Sequence, residues 1–305
     1  MTYDLIIAGS GPAGLSAAVY ASRAGFKYAV IEKMFMGIGQ ISEADKIDNY
    51  LGFESINGFD LGMKFRSQAE KCGTKFISGE IVKIEKADNL FNIHLKNSSE
   101  KIISKTIIYA IGASHRKLGI KGESEFTGKG VSYCAVCDGA FYKNKTAVVV
   151  GGGDTALSEA VYLSNLAEKV YLMHRREGFR ASENLQKKIA EIKNIETILN
   201  AVPIEINGDK KVSSIIFKQN EVIKKLFVDG VFVAVGMKPE TDIIKNIVDT
   251  NESGYIISDE TGITSLDGFF AAGDVRTKSL RQIITAVSDG ANCVNSVEKY
   301  ISKNQ

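Results

Sequence analysis

The sequence predicts an α/β fold built twice over, and three observations carry that expectation. Near the start a short apolar run, Leu5-Ile6-Ile7-Ala8, enters a glycine-rich turn and then an alanine-rich stretch of helical pattern. At mid-chain a β-branched run, Thr146-Ala147-Val148-Val149-Val150, does the same. After each helix a second apolar run follows, Tyr28-Ala29-Val30-Ile31 and Lys169-Val170-Tyr171-Leu172-Met173. Strand, turn, helix and strand in that order make a parallel pair joined by a crossover.

The first turn reads Gly9-Ser10-Gly11-Pro12-Ala13-Gly14, and the helix runs on through Leu15 to Ala21. The first glycine permits the tight turn, the second lets backbone approach a pyrophosphate, and the third lets helix and strand pack closely. The helix N-terminus then offers its unpaired N–H groups to phosphate. Glu32 ends the second strand, where an acid holds ribose hydroxyls. Gly9, Ser10, Gly11, Pro12, Ala13, Gly14 and Glu32 are therefore expected to bind a dinucleotide with a free ribose, such as FAD.

The second turn, Gly151-Gly152-Gly153-Asp154-Thr155-Ala156, leads into a helix through Leu157 to Leu163. Where Glu32 stood in the first copy, this copy has His174, followed by Arg175, Arg176 and, one helical turn on, Arg180. An acid there repels a 2′-phosphate, whereas arginines chelate it. A solvated basic face is the plainer reading of such a cluster, but its position is the one this fold uses to choose between cofactors. Gly151, Gly153, Asp154, Thr155, Ala156, His174, Arg175, Arg176 and Arg180 are thus expected to bind NADPH rather than NADH. Both copies follow the Rossmann-like, three-layer pattern.

Cys134-Ala135-Val136-Cys137, with Asp138 next, lies between the two fingerprints. A dithiol flanked by two sites for electron carriers suggests a relay from reduced nicotinamide to flavin to disulfide. Zinc is the competing use of a C-x-x-C, but it wants four ligands, and only Cys72 and Cys293 remain, each alone in its segment. Those two read as inert apolar cysteines. Asp138 is expected to serve the sulfurs as proton donor and acceptor if burial raises its pKa, with helix capping as its bland alternative. His94 and His115 carry no chemical context.

The chain has 305 residues, enough for two domains, and a net charge of +2, which steers neither nucleic acid nor membrane. No apolar run approaches membrane-spanning length. Met1-Thr2-Tyr3-Asp4 lacks a basic n-region, so no secretory signal is expected. Four cysteines fit a reducing cytoplasm. No metal, nucleic-acid or membrane partner is expected.

Further elements follow in order. Residues 61–72 read as a helix, and Lys75 to Lys83 and Leu90 to Leu95 read as strands. Thr106 to Ala110 is a strand leading into Ile111-Gly112-Ala113. Later strands are Ile215-Ile216-Phe217 and Gly230 to Val235, the latter ending in Gly236-Met237-Lys238-Pro239. Phe269-Phe270-Ala271-Ala272-Gly273-Asp274 is strand, glycine and acid again, and a final helix covers Arg281 to Tyr300. With three prolines in the chain, the domain joins are expected to be short, near Gly112 and Gly236.

Taken together, Gly9 to Gly14, Cys134 to Gly139, Gly151 to Ala156, His174 to Ala181 and Phe270 to Val275 resemble the bacterial-type, low-molecular-weight thioredoxin reductases over essentially the full length. These belong to the class II pyridine nucleotide-disulfide oxidoreductases. The resemblance implies an NADPH-binding domain, residues 114–242, that carries the dithiol. It is inserted into a discontinuous FAD-binding domain, residues 1–113 and 243–305. It also implies a homodimer, thioredoxin or a thioredoxin-like protein as partner, and rotation of one domain about the two joins. By the same resemblance Cys137 is the flavin-facing sulfur, Gly273 and Asp274 meet the ribityl chain and pyrophosphate, and Arg281 and Gln282 lie near the flavin ring. Gln40, Asn49 and Gly112 belong to the FAD pocket, and the Ile81 backbone meets adenine. Two departures touch the flavin environment: Ile111 replaces the usual threonine before Gly112, and the wording of 34–49 is unusual.

Rivals on the same frame take electrons from ferredoxin, or pass them to another small disulfide protein. The basic cluster after His174 argues against the first. A non-catalytic flavin redox sensor is the rival from another class.

Overall fold

A computed structural model describes residues 2–34, 37–44 and 46–304. The chain divides into two compact units, Met1–Ser114 with Lys238–Gln305 and His115–Met237. Of the unusual stretch 34–49, Phe35, Met36 and Asp45 lie outside the described residues.

The first unit begins with β1 (Thr2–Ala8), α1 (Pro12–Arg23) and β2 (Tyr28–Glu32). It continues with α2 (Gly58–Lys71), β3 (Phe76–Ser78), β4 (Ile81–Ala87), β5 (Leu90–Leu95) and β6 (Lys101–Tyr109). The chain leaves through β7 (Ala113–His115). The second unit holds β8 (Val131–Ser132), α3 (Ala135–Asp138), β9 (Thr146–Gly151), α4 (Asp154–Ser164) and β10 (Lys169–Met173). It goes on through α5 (Glu183–Glu191), β11 (Ile195–Ile198), β12 (Ala201–Gly208), β13 (Val212–Gln219), β14 (Val222–Phe227) and β15 (Gly230–Ala234). The chain returns through β16 (Met237–Pro239), which pairs with β7, and ends with β17 (Phe269–Ala271) and α6 (Ile283–Lys303). Gly112 and Gly236, one beside each connecting strand, have φ of +84° and +106°, a region that favours glycine.

In the first unit β3, β2, β1 and β6 are parallel neighbours. The far edge of β6 is shared, with its first half on antiparallel β5 and its last residues on parallel β17. Alternation along β1 feeds two layers. Leu5 and Ile7 pack with α1 and with Val294 and Val297 of α6, while Ile6 and Ala8 pack with Ile84, Phe91 and Phe269. In the second unit β11, β10, β9, β15 and β8 are all parallel. Ala147 and Val149 face α4, while Val148 and Val150 face the antiparallel layer β12-β13-β14 through Ile206, Ile215 and Phe217. Because both faces of β9 are covered, it reads as a continuous apolar run rich in valine, without polar alternation.

One expected strand is corrected. Lys75 to Lys83 is not continuous: β3 runs beside β2, the pairing breaks at Gly79 and Glu80, and β4 pairs instead with antiparallel β5. The Gly79 N–H donates to the Glu32 carbonyl at 2.8 Å, and a Cβ there would come within 2.8 Å of the Leu95 side chain. A side chain there would have to displace that of Leu95. Among the described residues no helix is long and apolar enough to cross a membrane.

Candidate active site

In the first glycine turn, two glycines are forced by the protein itself. A Cβ on Gly9 would stand 2.5 Å from the Ala110 carbonyl oxygen, and one on Gly14 would stand 1.9 Å from that of Gly9. Gly11 is different: only the Gly39 Cα comes within 4 Å, at 3.8 Å, and its φ of −73° suits any residue. The protein leaves that side open, as a closely approaching phosphate requires. Helix α1 starts here without a side-chain cap and without an acid in its first turn, so its N–H groups are available to an anion.

Glu32 closes β2, buried, and it does not stand alone. Both its oxygens are held by Arg66 of α2, through Nη1 and through Nη2 at 3.2 Å. Arg66 also donates to Glu70 at 2.8 Å and lies over the Phe76 ring at 3.6 Å. The pair fixes the rotamer of Glu32. Sequence reading missed Arg66, although a charged residue on the apolar stripe of an amphipathic helix is a usable signal.

Elements far apart in sequence bring the other expected residues of this unit together. Gln40 Nε2 donates to the Ala113 carbonyl at 2.7 Å, next to Gly112. Asn49 Nδ2 donates to Gln282 Oε1 at 3.0 Å, and Gln282 caps α6 in a capping box with Thr285. Ile81 opens β4 opposite Leu95. Gly273 takes a φ of +77°. In the next residue, Asp274 Oδ1 is buried without a hydrogen-bond partner, and burial raises this carboxyl above the usual range. Arg281 lies over the Tyr255 ring at 4.2 Å, and its Nε is likewise buried and unpartnered. An orphaned acceptor and an orphaned donor beside an open glycine turn are what a polar, hydroxyl-bearing ligand would satisfy. These residues fit a flavin dinucleotide.

The second glycine turn repeats the division of labour. A Cβ on Gly151 would stand 2.3 Å from the Ala234 oxygen, and one on Gly152 would stand 2.2 Å from the His174 ring. A Cβ on Gly153 would meet nothing within 4 Å. Asp154 and Thr155 are exposed at the start of α4, Ala156 is buried, and Asp154 Oδ1 accepts the Ser182 N–H at 2.8 Å. His174 is buried beneath the turn, against Phe179, with Nε2 unpartnered. Burial first, then the charges of Arg176, Arg180 and Arg175, hold its imidazole below the usual histidine range. Those three arginines are exposed, none is in an ion pair among the described residues, and the Arg180 N–H donates to the Gly152 carbonyl at 2.8 Å. A free basic cluster tied to a glycine turn fits a phosphorylated nucleotide.

The dithiol lies in the same unit, on the one-turn helix α3 between β8 and β9. Cys134 and Cys137 form a disulfide, and both are half-buried. Cys134 is the N-cap, and its Sγ accepts the Cys137 N–H at 3.2 Å, a contact that would favour a thiolate after reduction. Asp138 sits at the far end of the turn, so it does not cap this helix, and its Oδ2 accepts the Ser132 hydroxyl at 2.5 Å. The same Ser132 oxygen accepts the Cys134 N–H at 3.1 Å, so one hydroxyl ties the carboxylate to the sulfur turn. Sequence reading also missed Glu159 of α4. The Ala135 N–H reaches its Oε1 at 3.5 Å, Oε2 is buried without a partner, and burial pushes the carboxyl up to about 7. Among the described residues no group of three His, Cys, Asp or Glu could hold a metal ion. Cys293 is buried, donates to the Ala271 carbonyl and is pushed up to about 12 by burial, which makes it unreactive.

The pyridine nucleotide-disulphide oxidoreductase family matches residues 3–290. The chain belongs to that family. Membership implies a flavin and a pyridine nucleotide. Within it, the resemblance to bacterial-type thioredoxin reductases holds over nearly the whole chain. A thioredoxin reductase of Listeria monocytogenes is 43% identical over 304 residues, covering 99% of this chain and 94% of that one. One of Bacillus subtilis is 41% identical, covering 99% and 96%. The crystal structure of thioredoxin reductase from Streptococcus pyogenes superposes with a TM-score of 0.93 at 41% identity, covering 99% of both chains. The Cys134–Cys137 disulfide of this chain fits the redox-active pair of such an oxidoreductase.

Proposed function

We propose that the chain is an NADPH-dependent thioredoxin reductase, with FAD held by the first unit and NADPH by the second. The disulfide Cys134–Cys137, carried on a half-exposed turn in the same unit as a glycine turn with unpaired arginines, supports this reading most directly. Bound flavin would supply a two-electron carrier between a nicotinamide and a disulfide. Gly9, Gly11, Gly14 and the α1 N-terminus would receive its pyrophosphate, Glu32 the ribose, Asp274 the ribityl hydroxyls, and Arg281 and Gln282 the ring side. Gly153 and α4 would take the nicotinamide dinucleotide, and Arg175, Arg176 and Arg180 its 2′-phosphate.

The chain's own chemistry is thiol–disulfide exchange. Once the pair is reduced, a thiolate attacks one sulfur of oxidised thioredoxin and expels the other as a thiolate, giving a mixed disulfide. The second cysteine then attacks its neighbour, restoring Cys134–Cys137 and releasing reduced thioredoxin. Asp138, which accepts the Ser132 hydroxyl, would take and return the protons of these sulfurs. A homodimer in a reducing cytoplasm completes the reading.

The test is anaerobic. NADPH should bleach the flavin spectrum of the purified protein, and oxidised thioredoxin should restore it. In Cys134→Ser, bleaching should persist and recovery should not occur, with flavin still bound. Recovery at the normal rate in that variant rejects the disulfide as carrier.

A further inference from the structure

The last helix carries a buried ionic cluster to which neither turn lays claim. Asp289 of α6 is 4% exposed. Its Oδ1 accepts Arg276 Nη2 at 2.7 Å. Its Oδ2 accepts Arg276 Nε, Lys278 Nζ and the Gly273 N–H, each at 2.9 Å. The side chains of Arg276 and Lys278 are 5% and 6% exposed. Arg276 Nη1 donates to the Thr277 and Ser258 carbonyls. One carboxylate thus grips residues 273, 276 and 278, on both sides of Asp274. Two cations and one anion out of water are costly, and such groups are weak evidence of stability in themselves. What they fix is geometry. The helix that carries Asp289 is itself immobilised against α1, because Gly290 leaves no room even for a Cβ, which would stand 2.1 Å from the Ala13 carbonyl oxygen.

We infer that Asp289 is a positioning residue of the flavin site: by holding Gly273, Arg276 and Lys278, it aims the unpartnered carboxylate of Asp274 at the ribityl hydroxyls. This rests on the reading of Asp274 as a flavin ligand. The cluster also sets the charge around that carboxylate. Lys278, Arg281 and Arg276 draw its pKa down, while burial and Asp289 push it up. FAD binding to an ionised Asp274 weakens as pH falls through its pKa. Loss of the Asp289 charge therefore has two effects of opposite appearance. Binding at neutral pH weakens because the turn is released, yet the acid limb of binding moves to lower pH because the cations no longer face the Asp289 charge. Simple damage to the fold weakens binding without moving the limb downwards.

The test titrates flavin-free full-length protein with FAD, followed by flavin fluorescence, from pH 5 to 8. Asp289→Asn should raise the dissociation constant about ten-fold at pH 7.5, the value of one misaligned charge-assisted hydrogen bond, and displace the acid limb downwards. A triple variant, Asp289→Leu with Arg276→Met and Lys278→Met, replaces the cluster with apolar side chains and guards against a fold defect in the single variant. It should recover the melting temperature of flavin-free protein and still bind FAD weakly. Wild-type affinity in Asp289→Asn, or recovery of affinity together with melting temperature in the triple variant, overturns the inference. Asp274→Ala separates the two layers. If it binds FAD as wild type does, the ligand reading fails and the positioning role falls with it. If it binds weakly while the Asp289 variants bind normally, the positioning role alone fails.

Discussion

Glu159 shows how one buried carboxyl leaves a mark on the whole chain. Its pKa stands at about 7 in the fold, against an ordinary 4.5, and burial is the cause. The folded state therefore keeps a proton that the unfolded chain releases between about pH 4.5 and 7. In that window the unfolded state binds fewer protons, so stability falls as pH rises, by about 3 kcal/mol if the whole shift is realised. Above pH 7 both states are ionised and the slope ends. Glu159→Gln should abolish this decline, read as a urea midpoint that no longer drops between pH 5 and 7. An unchanged slope would place the proton elsewhere. At the same scale, the proposed reading gives cofactor choice to Arg175, Arg176 and Arg180. Arg175→Ala with Arg180→Ala should raise KM for NADPH at least about ten-fold and leave KM for NADH nearly untouched, since each charged contact to phosphate contributes about 1.5–3 kcal/mol. Equal losses for both nucleotides would reject the 2′-phosphate assignment. These arginines were legible in the sequence because their offset from a glycine turn is fixed by the fold. Glu159 and Asp289 were not, because nothing local distinguishes a buried helix carboxylate from a solvated one. Their meaning comes only from what packs on top of them.

The two glycine turns behave alike as elements, and each separates fold from function within a few residues. Gly151 is a folding requirement: a methyl there meets the Ala234 carbonyl and the Ala156 side chain at 2.3 and 2.6 Å. Gly153 has open space and a φ of −102°, which alanine adopts without strain. Gly151→Ala should thus cost about 1–3 kcal/mol of stability through overpacking. Gly153→Ala should keep or slightly raise stability, by about 0.4–1 kcal/mol, and weaken nucleotide binding by excluding the phosphate. Thermal melts of both variants, each paired with a nucleotide titration, check this, and the reverse assignment of the two effects would sink it. The same physics explains what was readable among the elements. Strand β9 was visible because burial on both faces demands a continuous apolar run, and β5 was visible from its alternation. The break at Gly79 was not visible, because it is a change of pairing partner, from β2 to β5, and β5 lies further along the chain. The layer β12-β13-β14 was seen only at Ile215 to Phe217. Its outer strand, Val222–Phe227, is mostly exposed and carries Lys224 and Lys225, so no apolar period marks it.

At the scale of the whole molecule, the decisive feature is that every hydrophobic cluster draws its members from one unit. Two clusters built on β1 and a third around Ile38 and Leu61 belong to the first, and the two clusters on β9 belong to the second. The chain passes between the units only at β7 and β16. Cooperative unfolding follows shared cores, so two cores predict two transitions. A ligand stabilises only the state it binds, by about 2.7 kcal/mol at a hundred times its dissociation constant. Scanning calorimetry should therefore resolve two transitions, with FAD raising one and NADP⁺ raising the other. The Gly153→Ala variant should reduce the NADP⁺ shift and leave the FAD shift unchanged. If both ligands raise a single transition together, the units do not unfold separately. If FAD raises the transition that NADP⁺ also raises and leaves the other in place, the allocation of one cofactor to each unit is wrong.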